Sequence, residues 1–189
     1  IVKYLKVEIP KYDCIVVNDF GHGILTKRVI RTIYSKAKFV ALNVQANSAN
    51  FGFNIITKYP RANFVCIDDL ELRLATHNRY GDIQSLAKRV YKKLRADSIV
   101  ITRGPYGASS YSAKTGFLTI PALTQMVVDR VGAGDALFAI TAPCVYAGFP
   151  LELSTFIGNV AGALKIATVG NKYPIDFEEM TQFISRLLK

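Results

Sequence analysis

The segment Asp129-Arg130-Val131-Gly132-Ala133-Gly134-Asp135 sets two carboxylates and two glycines within seven residues, and the apolar run Ala136-Leu137-Phe138-Ala139-Ile140 follows at once. This reads as a glycine-rich turn entering an apolar helix, with a carboxylate in the first helical turn. The first N–H groups of a helix lack intrahelical partners and carry the positive end of its dipole, so they hold anions. Gly132 and Gly134 let the backbone approach such an anion closely, because no Cβ stands in the way. Asp135 beside that hole can take the proton of an attacking hydroxyl. The Gly132, Ala133 and Gly134 amides would meanwhile hold the charge of a phosphoryl group in transfer. A plainer reading fits the same residues: an Asp in a first helical turn favours the dipole without doing chemistry.

The elements that must position this segment are legible as alternating apolar runs and amphipathic stretches. Strands are expected at Cys14–Val17, Phe39–Leu42, Asn63–Ile67 and Ser98–Thr102, with helices over Thr26–Lys36 and Asp82–Arg95 between them. The second helix carries Ile83, Leu86, Val90 and Leu94 at spacings of three and four, one apolar face. From Gly107 to Val128 short alternating strands are expected, with turns at Lys114-Thr115-Gly116 and Pro121. Helices then dominate, over Ala133–Tyr146, Leu151–Val169 and Asp176–Leu188. Strand–helix alternation of this kind predicts an α/β fold with a mostly parallel sheet and helices on both faces. No internal repeat or low-complexity linker interrupts it, so residues 1–189 read as one domain.

Composition agrees with a folded globule. Of 189 residues 50% are hydrophobic and the mean hydropathy is slightly positive. No apolar run reaches the roughly 18 residues of a membrane span, and Lys3, Lys6 and Glu8 break up any secretory signal. The chain opens without Met and in mid-pattern, which reads as a piece of something longer. The three cysteines, Cys14, Cys66 and Cys144, lie far apart in apolar runs without metal-ligand spacing. Buried thiols in a reducing cytoplasm follow. The formal charge of +10 is scattered, with no aromatic-interleaved basic platform or zinc spacing. A nucleic-acid partner is therefore not expected, and the charge is read as solvated surface or as a field that draws in anionic nucleotide or sugar phosphate.

In open α/β sheets ligands sit at the carboxyl ends of the strands. The polar residues of this chain fall there: Asp19 and Gly21-His22-Gly23 after the first strand, Asn43 after the second, Asp68 and Glu71 after the third, Arg103-Gly104 after the fourth. Each has a structural reading as well. Asp68 or Asp69 with Glu71 makes a helix N-cap. Gly104 and Gly107 suit a turn between strands. Small residues on Phe156–Leu164 suit helix packing, and His22 either contacts substrate or caps its turn. The stretch from Asn43 to Asn54 holds Asn43, Asn47, Asn50 and Asn54. Amide side chains donate and accept together, which suits sugar hydroxyls or phosphate.

The glycine-rich segment resembles the signature D-T-x-G-A-G-D of the ribokinase-like (PfkB) carbohydrate kinases, with Arg130 where that family usually has Thr. The resemblance runs from Asp19 to the last helix. It implies that Asp135 is the catalytic base and that the Gly132, Ala133 and Gly134 amides form the anion hole. Asp68 and Glu71 match the family's N-x-x-E motif, which helps order Mg²⁺, with Asp in place of Asn. Thr102, Gly104 and Gly107 match its nucleotide strand V-T-x-G-x-x-G, and Asn159 falls where a small residue or Asn lies by the adenine.

The loop Asn18–Gly23 is similar to D-Y-x-K-G of the heptose-phosphate kinases in the superfamily, with His22 in place of Lys. Together with Asn43–Asn54 and Lys58-Tyr59-Pro60 it is similar to a subgroup that follows a cytidylyltransferase-like domain in one polypeptide. The resemblance therefore implies a three-layer α/β/α sandwich, ribokinase-like, whose amino-terminal part and β lid lie outside this chain. It further implies ATP and Mg²⁺, in some relatives a monovalent cation near the loop after Asp129, and a sugar or sugar-phosphate acceptor touched by Asp19, His22, Asn43 and Asn47. Such a piece alone is expected to be nearly inactive, and its exposed sheet edge to favour a homo-oligomer. The rival expectation is a non-catalytic module that keeps the fold and binds nucleotide or sugar phosphate.

Overall fold

A computed structural model describes residues 1–124, 127–169 and 173–189. The elements in chain order are α1 Val2–Glu8, β1 Cys14–Asp19, α2 Lys27–Lys36, β2 Phe39–Val44, β3 Phe64–Asp68, α3 Asp69–Thr76, α4 Ile83–Lys93, β4 Ser98–Thr102, β5 Ala108–Ser112, β6 Gly116–Ile120, α5 Ala133–Tyr146, α6 Leu151–Ile166 and α7 Phe177–Leu187. The six strands neighbour one another in sequence order. β1, β2 and β3 are parallel, Asp19 standing opposite Val44 and Asn43 opposite Cys66. Contacts divide the chain into two compact units, Ile1–Ile101 with Tyr111–Phe117, and Thr102–Ser110 with Leu118–Lys189.

The first unit is built on β2 and β3, which are buried on both faces as helix-covered parallel strands must be. Leu42, Val44, Val65, Ile67, Ile99 and Ile101 form the core, joined by Val29, Ile30 and Ile33 of α2 and by Leu86 and Val90 of α4. Side chains capture the helix starts: Thr26 accepts from the Val29 N–H, and Asp82 from the Ser85 N–H at 2.9 Å. β1 is the end strand of the sheet order. Its Val16 is 49% exposed. A groove of about 490 Å³ lined by Tyr4, Leu5, Val16, Phe20, Ile24 and Val29 runs beside it.

The second unit holds Ser109 and Thr119, whose hydroxyls meet at 2.9 Å between β5 and β6, and the helices α5, α6 and α7. Val160, Ala161 and Met180 centre its helical core, with Ile140, Phe156, Ile157, Leu164 and Ile184 around them. α5 and α6 pack closely because Gly158 has no side chain. A Cβ there would fall 1.9 Å from Thr141 Oγ1, and that hydroxyl is fixed by donating to the Leu137 carbonyl at 2.7 Å. Asp176 caps α7, accepting from the Glu178 and Glu179 N–H groups at 2.7 and 3.3 Å.

Two sequence expectations change. The opening stretch, read only for its charges, forms α1 over Val2–Glu8 and a 3₁₀ turn over Ile9–Lys11. The alternating pattern beyond Pro121 does not form strands among the described residues; Val128 and Asp129 instead donate their N–H groups to the Ile166 carbonyl at 2.8 and 3.1 Å. Alternation predicts a strand only where a partner strand is available, and here a helix end supplies the acceptor.

Candidate active site

In the second unit, Asp129 Oδ1 accepts the Val131 N–H at 2.9 Å, which tightens the turn leading to α5. Gly132 then takes a left-handed conformation, φ +82°, as the residue before the helix. Only glycine does this at no steric cost. Its lack of a side chain also leaves α5 without a side-chain cap. A Cβ on Gly134, in the first turn, would meet nothing within 4 Å. The start of α5 thus has no side-chain cap and open space at Gly134, while the Ala133 N–H points to the Arg130 carbonyl at 3.4 Å, beyond the usual bond length. Asp135 is half-buried in the same turn, the one charged residue of α5. The first turn of α5 therefore sets one carboxylate beside the N–H groups of a helix start.

The same unit contains the segment after β4. Thr102 ends that strand half-buried, and Gly104 is exposed at φ +53° with open space where a Cβ would be. Gly104–Tyr106 make a single 3₁₀ turn, closed by the Gly107 N–H on the Gly104 carbonyl at 3.0 Å. Gly107 has φ +81°, and a Cβ on it would lie 2.1 Å from the Ile120 carbonyl oxygen. Gly104 therefore leaves room for a ligand, whereas Gly107 is required by the chain itself. Asn159 is 8% exposed and donates from Nδ2 to the Pro121 carbonyl at 2.8 Å, so it ties the loop after β6 to α6.

The first unit brings Asp19, Asn43, Asp68 and Glu71 to one sheet edge. Asp19 is 3% exposed. It accepts the Gly21 N–H on Oδ1 at 2.9 Å, and the Tyr59 hydroxyl on Oδ2 at 2.7 Å beside the Lys58 ammonium. Burial alone would push its carboxyl up, but the bonds from Lys58, Tyr59 and Gly21 and the Lys58 charge hold it below the usual carboxylate range. The Asp19 contribution to stability is therefore complete above the unfolded value of about 3.9 and lost as pH falls through the lower folded value. Chemical denaturation as a function of pH is expected to show a shallower loss of stability below about pH 4 in Asp19→Asn than in wild type.

The asparagines after β2 mostly serve their own loop. Asn47 donates to the Phe20 carbonyl at 2.9 Å and accepts from the Ala49 and Asn50 N–H groups. Asn50 also donates to Phe20, and Asn54 donates to the Asp19 and Gln45 carbonyls at 3.2 and 3.0 Å. The loop after β1 is thus clamped by the loop after β2, which is why Gly21 is glycine: a Cβ would fall 1.9 Å from Asn50 Nδ2. Asn43 is 7% exposed; its Nδ2 donates to the Cys66 carbonyl at 3.0 Å, and its Oδ1 has no protein donor among the described residues. His22 is exposed, its ring 6.3 Å from that of Phe20. Lys58 and Tyr59, quoted above only within the subgroup resemblance and not as site residues, both meet Asp19.

Asp68 and Glu71 form a capping box at the start of α3: Asp68 Oδ1 accepts the Glu71 N–H at 2.6 Å and Glu71 Oε2 the Asp68 N–H at 3.0 Å. Glu71 Oε1 also accepts the Ala46 N–H at 2.9 Å, so the carboxylate joins α3 to the loop after β2. Removing it in Glu71→Ala leaves two backbone donors without acceptor, and a loss of about 2 kcal/mol is expected in urea denaturation, with Glu71→Gln losing about half. Burial pushes the Asp68 carboxyl up, opposed in part by the Glu71 N–H, and its neighbour Asp69 adds to the rise. Both Glu71 oxygens and Asp68 Oδ1 thus accept backbone N–H groups, so the pair serves first as the cap of α3.

The pattern of the family described as pfkB family carbohydrate kinase matches residues 12–177. The chain belongs to that family. Among curated proteins this pfkB chain is 27% identical over 168 residues to the bifunctional protein HldE of Nitrobacter hamburgensis, covering 86% of itself and 33% of that protein. It is 29% identical over 168 residues to HldE of Nitrobacter winogradskyi, again 86% and 33%. The chain thus spans about a third of the curated relatives it matches. Phosphofructokinase-2 of Escherichia coli in complex with potassium superposes with a TM-score of 0.80 at 13% identity, over 100% of this chain and 62% of that one. Arabidopsis thaliana ribokinase complexed with ribose and ATP gives 0.73 at 14% identity, over 96% and 58%. At such identities the likeness is one of fold, and the mostly parallel ribokinase-like α/β architecture expected from the sequence is the one found.

Proposed function

We propose that the intact protein transfers the γ-phosphoryl group of ATP to a hydroxyl of a sugar or sugar phosphate of the heptose-phosphate kind. The observation that carries this is the start of α5, where a left-handed Gly132, an uncapped helix and an open Gly134 surround a half-buried Asp135. Asp135 accepts the proton of the attacking hydroxyl. The Gly132, Ala133 and Gly134 amides stabilise the transferring group, whose charge spreads over its equatorial oxygens. Thr102 and the open Gly104 border the nucleotide, with Asn159 and Gly107 shaping that side of the unit. Asp68 and Glu71 would hold Mg²⁺, which neutralises phosphate charge when bound. At the sheet edge of the first unit His22, Asn43 and Asn47 face the acceptor sugar, Asn47 chiefly by fixing its loop.

The heptose class rests on the HldE relatives and on the Asp19–Gly23 loop. Those relatives are bifunctional by name and about three times the length matched here, which supports a second, cytidylyltransferase-like domain in the same polypeptide. Coupled measurement of ADP release by the intact protein is expected to show turnover that depends on added heptose or heptose phosphate. ATP binding with no sugar-dependent turnover across the panel would instead favour the non-catalytic module.

A further inference from the structure

Lys58 is held in an unusual way for a lysine at a loop. Its ammonium meets Asp19 Oδ2 and donates to Asn54 Oδ1, and it stands 5.4 Å over the Tyr59 ring centroid. Asn54 is itself buried and bonded to the Asp19 and Gln45 carbonyls. Folding a long side chain back onto the protein costs rotamer entropy that a solvent-exposed pair rarely repays. Here a buried carboxylate and a buried amide fix the ammonium at the carboxyl end of β1, the edge where α/β sheets take ligands.

The two members of the pair differ in what they can still do. Asp19 is buried, and its oxygens already take an N–H, a hydroxyl and the ammonium. An ammonium has three N–H donors. Two are directed at Asp19 and Asn54, and the Lys58 side chain remains 32% exposed. Among the described residues no third hydrogen-bond partner takes the ammonium, which leaves one donor for a ligand. The pair sums to zero charge, so it offers a directed hydrogen bond rather than a field for a phosphate.

Resting on the sugar-kinase reading, we propose that Lys58 binds the acceptor sugar by donating to one of its hydroxyls, with Asp19 and Tyr59 as positioning residues that aim the ammonium. Asp19 then acts through Lys58 rather than touching the sugar. This deepens the assignment of the sheet edge and names the group that reads the sugar there.

The test is calorimetric titration of the intact protein with a heptose and with the same heptose carrying a terminal phosphate, alongside ATP. Lys58→Met is expected to weaken both sugars by the same factor, about tenfold for one lost charge-assisted bond, and to leave ATP affinity unchanged. Because that change strands the Asp19 carboxylate, the double variant Asp19→Asn with Lys58→Met is measured too; without a buried unpaired charge it is expected to melt near wild type and still bind sugars as weakly. Lys58→Arg is expected to recover part of the affinity. Unchanged sugar affinity in both Lys58→Met variants overturns the proposal, as does weakening confined to the phosphorylated probe, which would put the contact on phosphate. Failure of the kinase reading looks different: wild type then releases no ADP with any sugar, whereas failure of the Lys58 proposal leaves turnover intact and the sugar KM unmoved.

Discussion

Asp135→Asn in the intact protein is expected to lower kcat by about 10³-fold while the Kd for ATP stays within about threefold of wild type. Asn keeps the size of the side chain and its place in the first turn of α5, so packing around Leu137 and Phe138 is undisturbed. It loses the negative charge and with it the ability to take a proton. A purely structural Asp predicts the opposite pattern. Its charge would serve the helix dipole, about 0.3–1 kcal/mol of stability, and its replacement would lower the melting temperature slightly with little effect on turnover. Stopped-flow or steady-state kinetics beside a thermal melt separate the two. Equal turnover in wild type and variant would remove Asp135 from the chemistry.

Gly107→Ala is expected to be the most damaging single-atom change in the second unit, costing about 3 kcal/mol or more. Three backbone atoms stand in the way: the Ile120 carbonyl oxygen at 2.1 Å, the Pro121 carbonyl carbon at 2.5 Å and the Ala122 nitrogen at 2.6 Å. None can rotate aside as a side chain can, and the φ of +81° is unfavourable for alanine besides. Gly104→Ala, three residues earlier, is the control. It also has a positive φ but open space around it, so only the conformational strain of about 1 kcal/mol is expected. Denaturant titration of the two variants should therefore rank Gly107→Ala well below Gly104→Ala. Equal stability of the pair would mean that the turn after β4 is looser than described.

The contrast between those two glycines shows what a sequence can and cannot carry. Both read equally as a turn or as a nucleotide approach, because spacing reports a need for glycine and not its cause. The cause depends on a segment distant in sequence, Ile120–Ala122, that lies against one of them. The glycine-rich turn into α5 was legible for the converse reason: it is local, made by consecutive residues whose conformations follow from their own identity. Strands β1 to β4 were legible from apolar runs and α4 from one-sided periodicity; Thr26 and Asp82, read as the first residues of their helices, cap them. Asn43–Asn54 was read as a surface for hydroxyls. Asn47, Asn50 and Asn54 chiefly hold the Asp19 and Phe20 carbonyls, partners that only the parallel pairing of β1 with β2 supplies. Lys58 entered only as part of the Lys58-Tyr59-Pro60 resemblance, and its hold on Asp19 was illegible on the same ground. An ordinary loop lysine becomes informative only when a buried carboxylate some forty positions away in sequence is found to hold it.

The account turns on the start of α5 as the site that holds the transferring phosphoryl group. Calorimetric titration of the intact protein with a non-hydrolysable ATP analogue and Mg²⁺ tests this most directly, comparing wild type with Gly132→Asp and Gly132→Asn. Asn and Asp tolerate the left-handed conformation of Gly132 about equally, so the two variants share any backbone strain and differ by one negative charge at the helix start. The prediction is that Gly132→Asp loses at least about tenfold in affinity relative to Gly132→Asn, the cost of an anion placed against an anion. Equal affinity in the two variants would contradict it and leave the glycines of α5 as structural residues only.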